Sequence, residues 1–202
     1  MYSRTITIVF LLAFSIALRA AGNPLAPSDM APNFTAMTST DSPFELENFR
    51  GQWVVFEWTN HECPYVRKHY SSGNMQKTQR LITEDGGIWV SIISSAPGKQ
   101  GYVTPEEANQ LTASRGVYAD MILLDPSGEI GRLYMAKTTP QMFLINPAGY
   151  IEYMGAIDDK PSSRQASLTG AKNYVLNAWE AAKAGKEINP KVTKPYGCTV
   201  KY

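Results

Sequence analysis

Cysteine is scarce: the 202-residue chain has two, Cys63 and Cys198. Two cysteines make no disulfide scaffold, though a pair can still form one structural bridge or one redox couple. Charge of one sign is missing too. Nineteen Lys and Arg stand against eighteen Asp and Glu, a formal net charge of +1, with no block of like charge. Such a surface offers no electrostatic footprint for nucleic acid or for an anionic membrane. Internal repeats and low-complexity tracts are lacking. The apolar run ITIVFLLAFSIAL, residues 6–18, falls short of the roughly 20 residues that a membrane-spanning helix needs.

What is present begins with that run. Arg4 precedes it and the small residues RAAG follow it, the order of a secretory signal peptide over residues 1–22 cleaved near Ala20 to Gly22. Export implies an oxidising compartment, periplasmic or extracellular, with no stable membrane insertion after cleavage. NFT at Asn33 to Thr35 fits the N-glycosylation pattern, which has meaning only in a eukaryotic secretory pathway. Past the signal, residues 23–43 are rich in Pro, Ser, Thr and Asn and read as an extended segment. Residues 44–188 form one domain, and 189–202 are a Pro- and Gly-containing tail that carries Cys198. An apolar share of 44% is ordinary for a globular core.

Within the domain, WVVFEW is β-branched and aromatic enough for a buried strand. CPYVRKHYSSGNMQKTQRLITEDG reads as helical, with Pro64 at the first helical position and a weak point at Ser71 to Asn74. IWVSIISS is a second buried strand. TPEEANQLTASRG is a helix with Thr104 as N-cap, acids in its first turn and Gly116 near its end. MILL, a DPSG turn and a helical stretch come next, then the hairpin MFLI–NPAG–YIEYMG. In the last helix Tyr174, Val175, Ala178, Trp179 and Ala182 recur at helical spacing. Strands alternating with helices predict an α/β fold, a central mixed β-sheet flanked by helices on both faces. Trp53, Trp58, Trp89 and Trp179 belong to its core.

The chemistry gathers in WTNHECPYVRKHY. Cys63 is either a reactive thiol or a buried small hydrophobe. Its place at a helix N-terminus favours the thiolate. Arg67, four residues on, is positioned to lean back over the sulfur. Lys68, His61 and His69 add positive or polarisable groups, and Glu62 opposes them. His61, Cys63 and His69 also raise a metal site as an alternative, weakened because His69 falls off the Cys63 face of an ideal helix.

The element order, with Cys63 where the first long strand meets its helix, resembles the thioredoxin fold. LLDPSGEIGRLY followed by TTPQMFLINPAGYIEYMG resembles the alkyl hydroperoxide reductase and thiol-specific antioxidant family. ECPYVRKHY, GAIDD and the ending GCTVKY are similar to its peroxiredoxin-like redoxin members. The resemblance covers about residues 30–202. It implies that Cys63 is the attacking cysteine and that Thr139 and Pro140 form the cis-proline segment facing it. The implied activity is a peroxiredoxin-like thiol oxidoreductase, reducing a peroxide or exchanging a disulfide, with a separate thiol electron donor and neither cofactor nor metal.

The sequence also departs from that pattern. Val66 stands where a CxxC motif has its second cysteine. Phe56 and Asn60 stand where a peroxiredoxin has its proline and threonine, with Thr59 one place off. The family arginine has no match, Lys137 and Arg132 being the nearest cations. Asn60, Thr59 and Arg67 are therefore the candidates to activate the peroxide. Cys198 is the internal candidate to resolve oxidised Cys63. The alternative is a permanent Cys63–Cys198 bridge in a non-catalytic binding module. Closing so long a loop would stabilise the fold by about 5 kcal/mol through chain entropy.

Overall fold

The structure, a computed structural model, describes residues 24–202. The signal peptide expected over residues 1–22 lies outside them. Two short strands, β1 (Thr35–Met37) and β2 (Pro43–Glu45), pair as a hairpin, so the stretch expected to be extended is partly ordered as a sheet. β3 (Trp53–Trp58) leads into α1 (Pro64–Ser71) and α2 (Asn74–Glu84). The weak point expected at Ser71 to Asn74 is a full break, because Gly73 takes a left-handed conformation (φ 74°) at the start of α2 that a Cβ would penalise.

β4 (Gly87–Ile93), α3 (Pro105–Arg115), β5 (Met121–Leu124) and α4 (Glu129–Leu133) follow. α3 starts with a complete capping box, Thr104 and Glu107 each accepting from the other's backbone N–H, which satisfies two otherwise orphaned donors. Then come β6 (Thr138–Thr139), β7 (Gln141–Ile145), β8 (Ile151–Gly155), α5 (Tyr174–Lys183) and β9 (Cys198–Thr199).

The central sheet has the order β5-β4-β3-β7-β8. β3, β4 and β5 run parallel to one another, while β7 and β8 are antiparallel to their neighbours. Both faces of the sheet are buried, and β3 shows why its sequence is so apolar. Val54, Phe56 and Trp58 point to one face, where Phe34, Phe44, Tyr134 and Phe143 pack with them. Val55 faces the other side with Trp89, Leu144, Met75, Ile82 and Trp179. α1, α2, α3 and α5 cover that second face; α4 and the N-terminal hairpin cover the first. Phe56, the departure from the family's proline, is thus an aromatic core residue with Trp58 and Tyr134 at ring-centroid distances of 6.2 and 5.4 Å. Among the described residues no helix is long and apolar enough to cross a membrane.

Candidate active site

β3 delivers the chain to the site. After Trp58 the backbone turns, and Cys63 is the N-cap of α1 in an extended conformation. Pro64 opens the helix, where its missing N–H costs nothing. The Cys63 N–H donates to Asn60 O at 3.1 Å, and Cys63 O accepts from Arg67 N at 2.8 Å. The backbone of the cysteine is therefore fixed on both sides. Its side chain is 0% exposed, and the thiol donates to Thr139 O at 3.2 Å. Thr139 precedes Pro140 through a cis peptide bond.

Cys198 arrives from the far end of the chain. β9 pairs antiparallel with β6, and the register sets Cys198 opposite Thr139. There it packs against the cluster that contains Cys63 and lowers the Cys63 pKa. Both cysteines are free thiols. The Pro- and Gly-containing tail is thus docked across the site.

The two thiols have opposite proton affinities. Burial pushes the Cys63 thiol up, but the Cys198 thiol, the N–H groups of Val66 and Cys198 and the Thr139 hydroxyl outweigh it and bring Cys63 below its ordinary 9.0. The Val66 N–H is one of the free donors at the helix start. Thr139 Oγ1 is buried without another partner, so thiolate formation gives an orphaned donor its acceptor. Cys198 is pushed up to about 12, by burial and by the neighbouring Cys63 sulfur. Of the two, Cys63 gives up its proton the more easily and Cys198 holds its own the more tightly.

The residues expected to activate the site sit elsewhere in it. Asn60 is buried, but its amide accepts from Glu62 N at 2.9 Å and donates to Gln100 O at 3.2 Å. It clamps the loop before α1 to the loop after β4. Thr59 acts on Glu57, lowering its pKa, and is not among the groups acting on Cys63. Arg67 is exposed and is not among the groups acting on Cys63. Lys137 is exposed as well. Arg132 donates to Ser127 O and lies 4.6 Å from the Tyr202 ring. Hydrogen-bond donors, not cations, favour the thiolate. His69 donates or accepts at both ring nitrogens, with Asn74 and Tyr196. Among the described residues no group of three or more His, Cys, Asp and Glu is placed to hold a metal ion.

Two buried polar clusters flank Cys63 and were not foreseen. In the first, Glu57 on β3 accepts from Tyr70, Gln79, Trp89 and Ser91, and burial raises its pKa. A single carboxylate inside WVVFEW was the available signal, since a buried charge needs partners. In the second, Lys68 and His69 of α1 meet Asp158 and Tyr196. Lys68 Nζ lies 3.5 Å from Asp158 Oδ2 and donates to Lys160 O at 2.9 Å and Tyr196 Oη at 3.0 Å. Tyr196 Oη donates to Asp158 Oδ1. Asp158 is 2% exposed, so the acidic pair at 158 and 159 is split between core and surface.

This second cluster predicts an acid-sensitive fold. Burial, then the Lys68 charge, lower the His69 pKa from 6.5 to about 4. The unfolded chain thus binds more protons between these values, and His69 stabilises the fold least at the acid end. A loss on the order of 3 kcal/mol is expected as pH falls from about 6.5 to 4. Glu57, with its raised pKa, pulls the other way, its contribution being lost as pH rises. Urea unfolding across this range for the native chain and His69→Gln isolates the histidine: the acid loss should shrink in the variant, and an unchanged slope would contradict the assignment.

The comparisons bear on this geometry. The AhpC/TSA family profile matches residues 27–154, well over half the chain, including Cys63, Thr139 and Pro140. The chain belongs to the AhpC/TSA family. This AhpC/TSA protein is a thiol oxidoreductase in the general sense that the family carries. The match ends before Asp158, α5 and the Cys198 tail, so the second cluster and the docked tail lie outside it. The fold is shared with an uncharacterized conserved protein from Geobacillus kaustophilus, 22% identical with a TM-score of 0.77 over 89% of this chain and 94% of that one. A hypothetical protein from Sinorhizobium meliloti 1021 is 20% identical with a TM-score of 0.74, over 89% and 96%. A thiol:disulfide interchange protein from a Bacteroides species is more distant, 18% identical with a TM-score of 0.51, over 72% and 88%. These likenesses establish a thioredoxin-like fold. No curated protein is significantly similar to the chain.

Proposed function

We propose that this AhpC/TSA protein is an exported thiol peroxidase in which Cys63 attacks hydrogen peroxide or a small organic hydroperoxide and Cys198 resolves the product. The observation that carries the reading is the placing of both thiols at Thr139, Cys63 donating to its carbonyl and Cys198 set opposite it in the β6–β9 register, with Cys63 biased to thiolate and Cys198 to thiol. The 0% exposure of Cys63 favours a substrate of a few atoms over a protein disulfide.

In the first step the Cys63 thiolate attacks one peroxide oxygen. The S–O bond forms, the O–O bond breaks, Cys63 is oxidised to a sulfenic acid, and the peroxide is reduced to water or an alcohol. In the second, Cys198 sulfur attacks Cys63 Sγ. The S–S bond forms, the S–O bond breaks, and hydroxide leaves with the Cys198 proton as water. An external dithiol then returns the pair to thiols. Cys198, half-buried, is the sulfur it reaches more readily, and Cys63 is the better leaving thiolate. Export rests on the apolar run at residues 6–18 and its flanks.

Disulfide exchange by the same pair is the second reading, favoured by the lack of a cation among the groups acting on Cys63. Mixing reduced protein with hydrogen peroxide, and separately with oxidised glutathione, tells the two apart. The peroxidase reading expects Cys63 to react with peroxide far faster than free cysteine does. A peroxide rate no higher than free cysteine's, beside rapid reaction with glutathione disulfide, would replace it with the exchange reading.

A further inference from the structure

We infer that Tyr196 is a positioning residue: its side chain latches the C-terminal strap to the helix that carries Cys63, and so sets how closely Cys198 is held against the nucleophile. The inference rests on the Cys63–Cys198 reading above.

The strap passes over a fully buried sulfur. Upstream, Thr193 is tied to the end of β8 through Met154 O and Ala156 N. Downstream, Lys201 O accepts from Ala96 N at 2.8 Å, and Tyr202 Oη donates to Ala136 O at 2.8 Å. Between these anchors Tyr196 is the side chain that reaches α1. Its hydroxyl donates to Asp158 and accepts from Lys68 Nζ at 3.0 Å, with His69 Nε2 at 3.3 Å. Its ring meets Tyr65 edge-on at 5.8 Å and Lys68 Nζ at 5.0 Å. Lys68, His69 and Tyr65 all lie on the helix that Cys63 caps. One end of α1 therefore holds the nucleophile while its buried face grips the strap two residues before the second thiol.

The residue between latch and thiol supports the same reading. Gly197 has φ +137°, and a Cβ there would come within 1.9 Å of Thr139 O. The strap backbone lies against the residue before Pro140 as closely as a chain can. A hydrogen bond given to a carboxylate and one taken from an ammonium are both charge-assisted, which makes this hydroxyl a stronger tether than a surface tyrosine. Without it, the two-residue β6–β9 pairing alone would hold Cys198 at Cys63, and the effective concentration of Cys198 there would drop.

The test is a glutathione redox buffer, in which the two thiols and glutathione disulfide exchange for the protein disulfide and two glutathione thiols. Tyr196→Phe keeps the ring and removes the hydroxyl. It is expected to lower the equilibrium constant for the Cys63–Cys198 disulfide about tenfold, the size of one charge-assisted hydrogen bond. In a Cys198→Ser background it should also speed labelling of Cys63 by a bulky maleimide. Phe44→Leu, buried on the opposite face of the sheet, lowers stability but should leave both readouts unchanged. Should Tyr196→Phe fold poorly, the double change Lys68→Met with Asp158→Ala, which removes both charged partners of the hydroxyl and leaves no charge alone, carries the same expectation. A wild-type equilibrium constant and labelling rate in the latch variants, or an equal fall in Phe44→Leu, would overturn the inference while leaving the functional reading in place. A native protein that forms no Cys63–Cys198 disulfide would overturn both.

Discussion

Cys63→Ser is expected to bring peroxide and disulfide turnover down to the background of the buffer, with the fold retained. Serine fits the space and its hydroxyl can donate to Thr139 O as the thiol does at 3.2 Å, so the stability change should stay within about 1 kcal/mol. The chemistry cannot be replaced. The donors around the sulfur lower its pKa from 9.0, whereas an alcohol starts far too high for the same donors to yield an alkoxide. For the native chain the rate should rise with pH through a value below 9.0 and then level off, because only the thiolate attacks. Cys198→Ser should behave differently: the first oxidation survives, and the product stalls as sulfenic acid or climbs to sulfinic acid. Turnover with each variant, beside circular dichroism, checks all of this. Residual turnover in Cys63→Ser above background would remove Cys63 from the centre of the account.

Asp158→Ala is expected to cost about 3 kcal/mol or more in urea unfolding. Lys68 is 1% exposed and Asp158 2%, and deleting one partner of such a pair strands the other charge away from water. Lys68 would keep its bonds to Lys160 O and Tyr196 but lose the carboxylate it contacts at 3.5 Å. Burial already lowers its pKa against the pull of Asp158, so in the variant the lysine should shed its proton more easily and the loss should ease at high pH. Lys68→Met combined with Asp158→Ala should be less damaging than the sum of the single changes, because no charge is then left alone. Additive effects would mean that the two side chains do not act as a pair.

The parts of the site that local sequence encodes were legible. A β-branched and aromatic run followed by Cys-Pro gives a strand feeding a helix N-terminus, and β3 and α1 form there. Thr104 and the acids that follow it announced the start of α3. The mixed sheet and the helices on both faces followed from the alternation and the final hairpin. The activating role expected of Arg67 rested on helical i to i+4 geometry, which presumes that both residues are helical. Cys63 is the extended N-cap, so its side chain leaves the helical lattice and Arg67 points to solvent. Asp158 and Asp159 are adjacent in sequence, but Asp158 is bridged to Asn173 between two bends and turns inward. Asp159 meets Lys160 near the surface while Asp158 enters the core. The docking of the tail had no local signal. β6 and β9 have two residues each, too short for any periodicity, and only the tertiary structure shows that Cys198 faces Thr139.

The most direct test of the central claim is the mass and disulfide map of the reduced mature protein after one equivalent of hydrogen peroxide. The account predicts a monomer that has lost two hydrogens, with the peptides of Cys63 and Cys198 joined. A product that keeps Cys198 as a free thiol while Cys63 carries added oxygen, or that links Cys63 between chains, would contradict the pairing on which the proposed cycle depends.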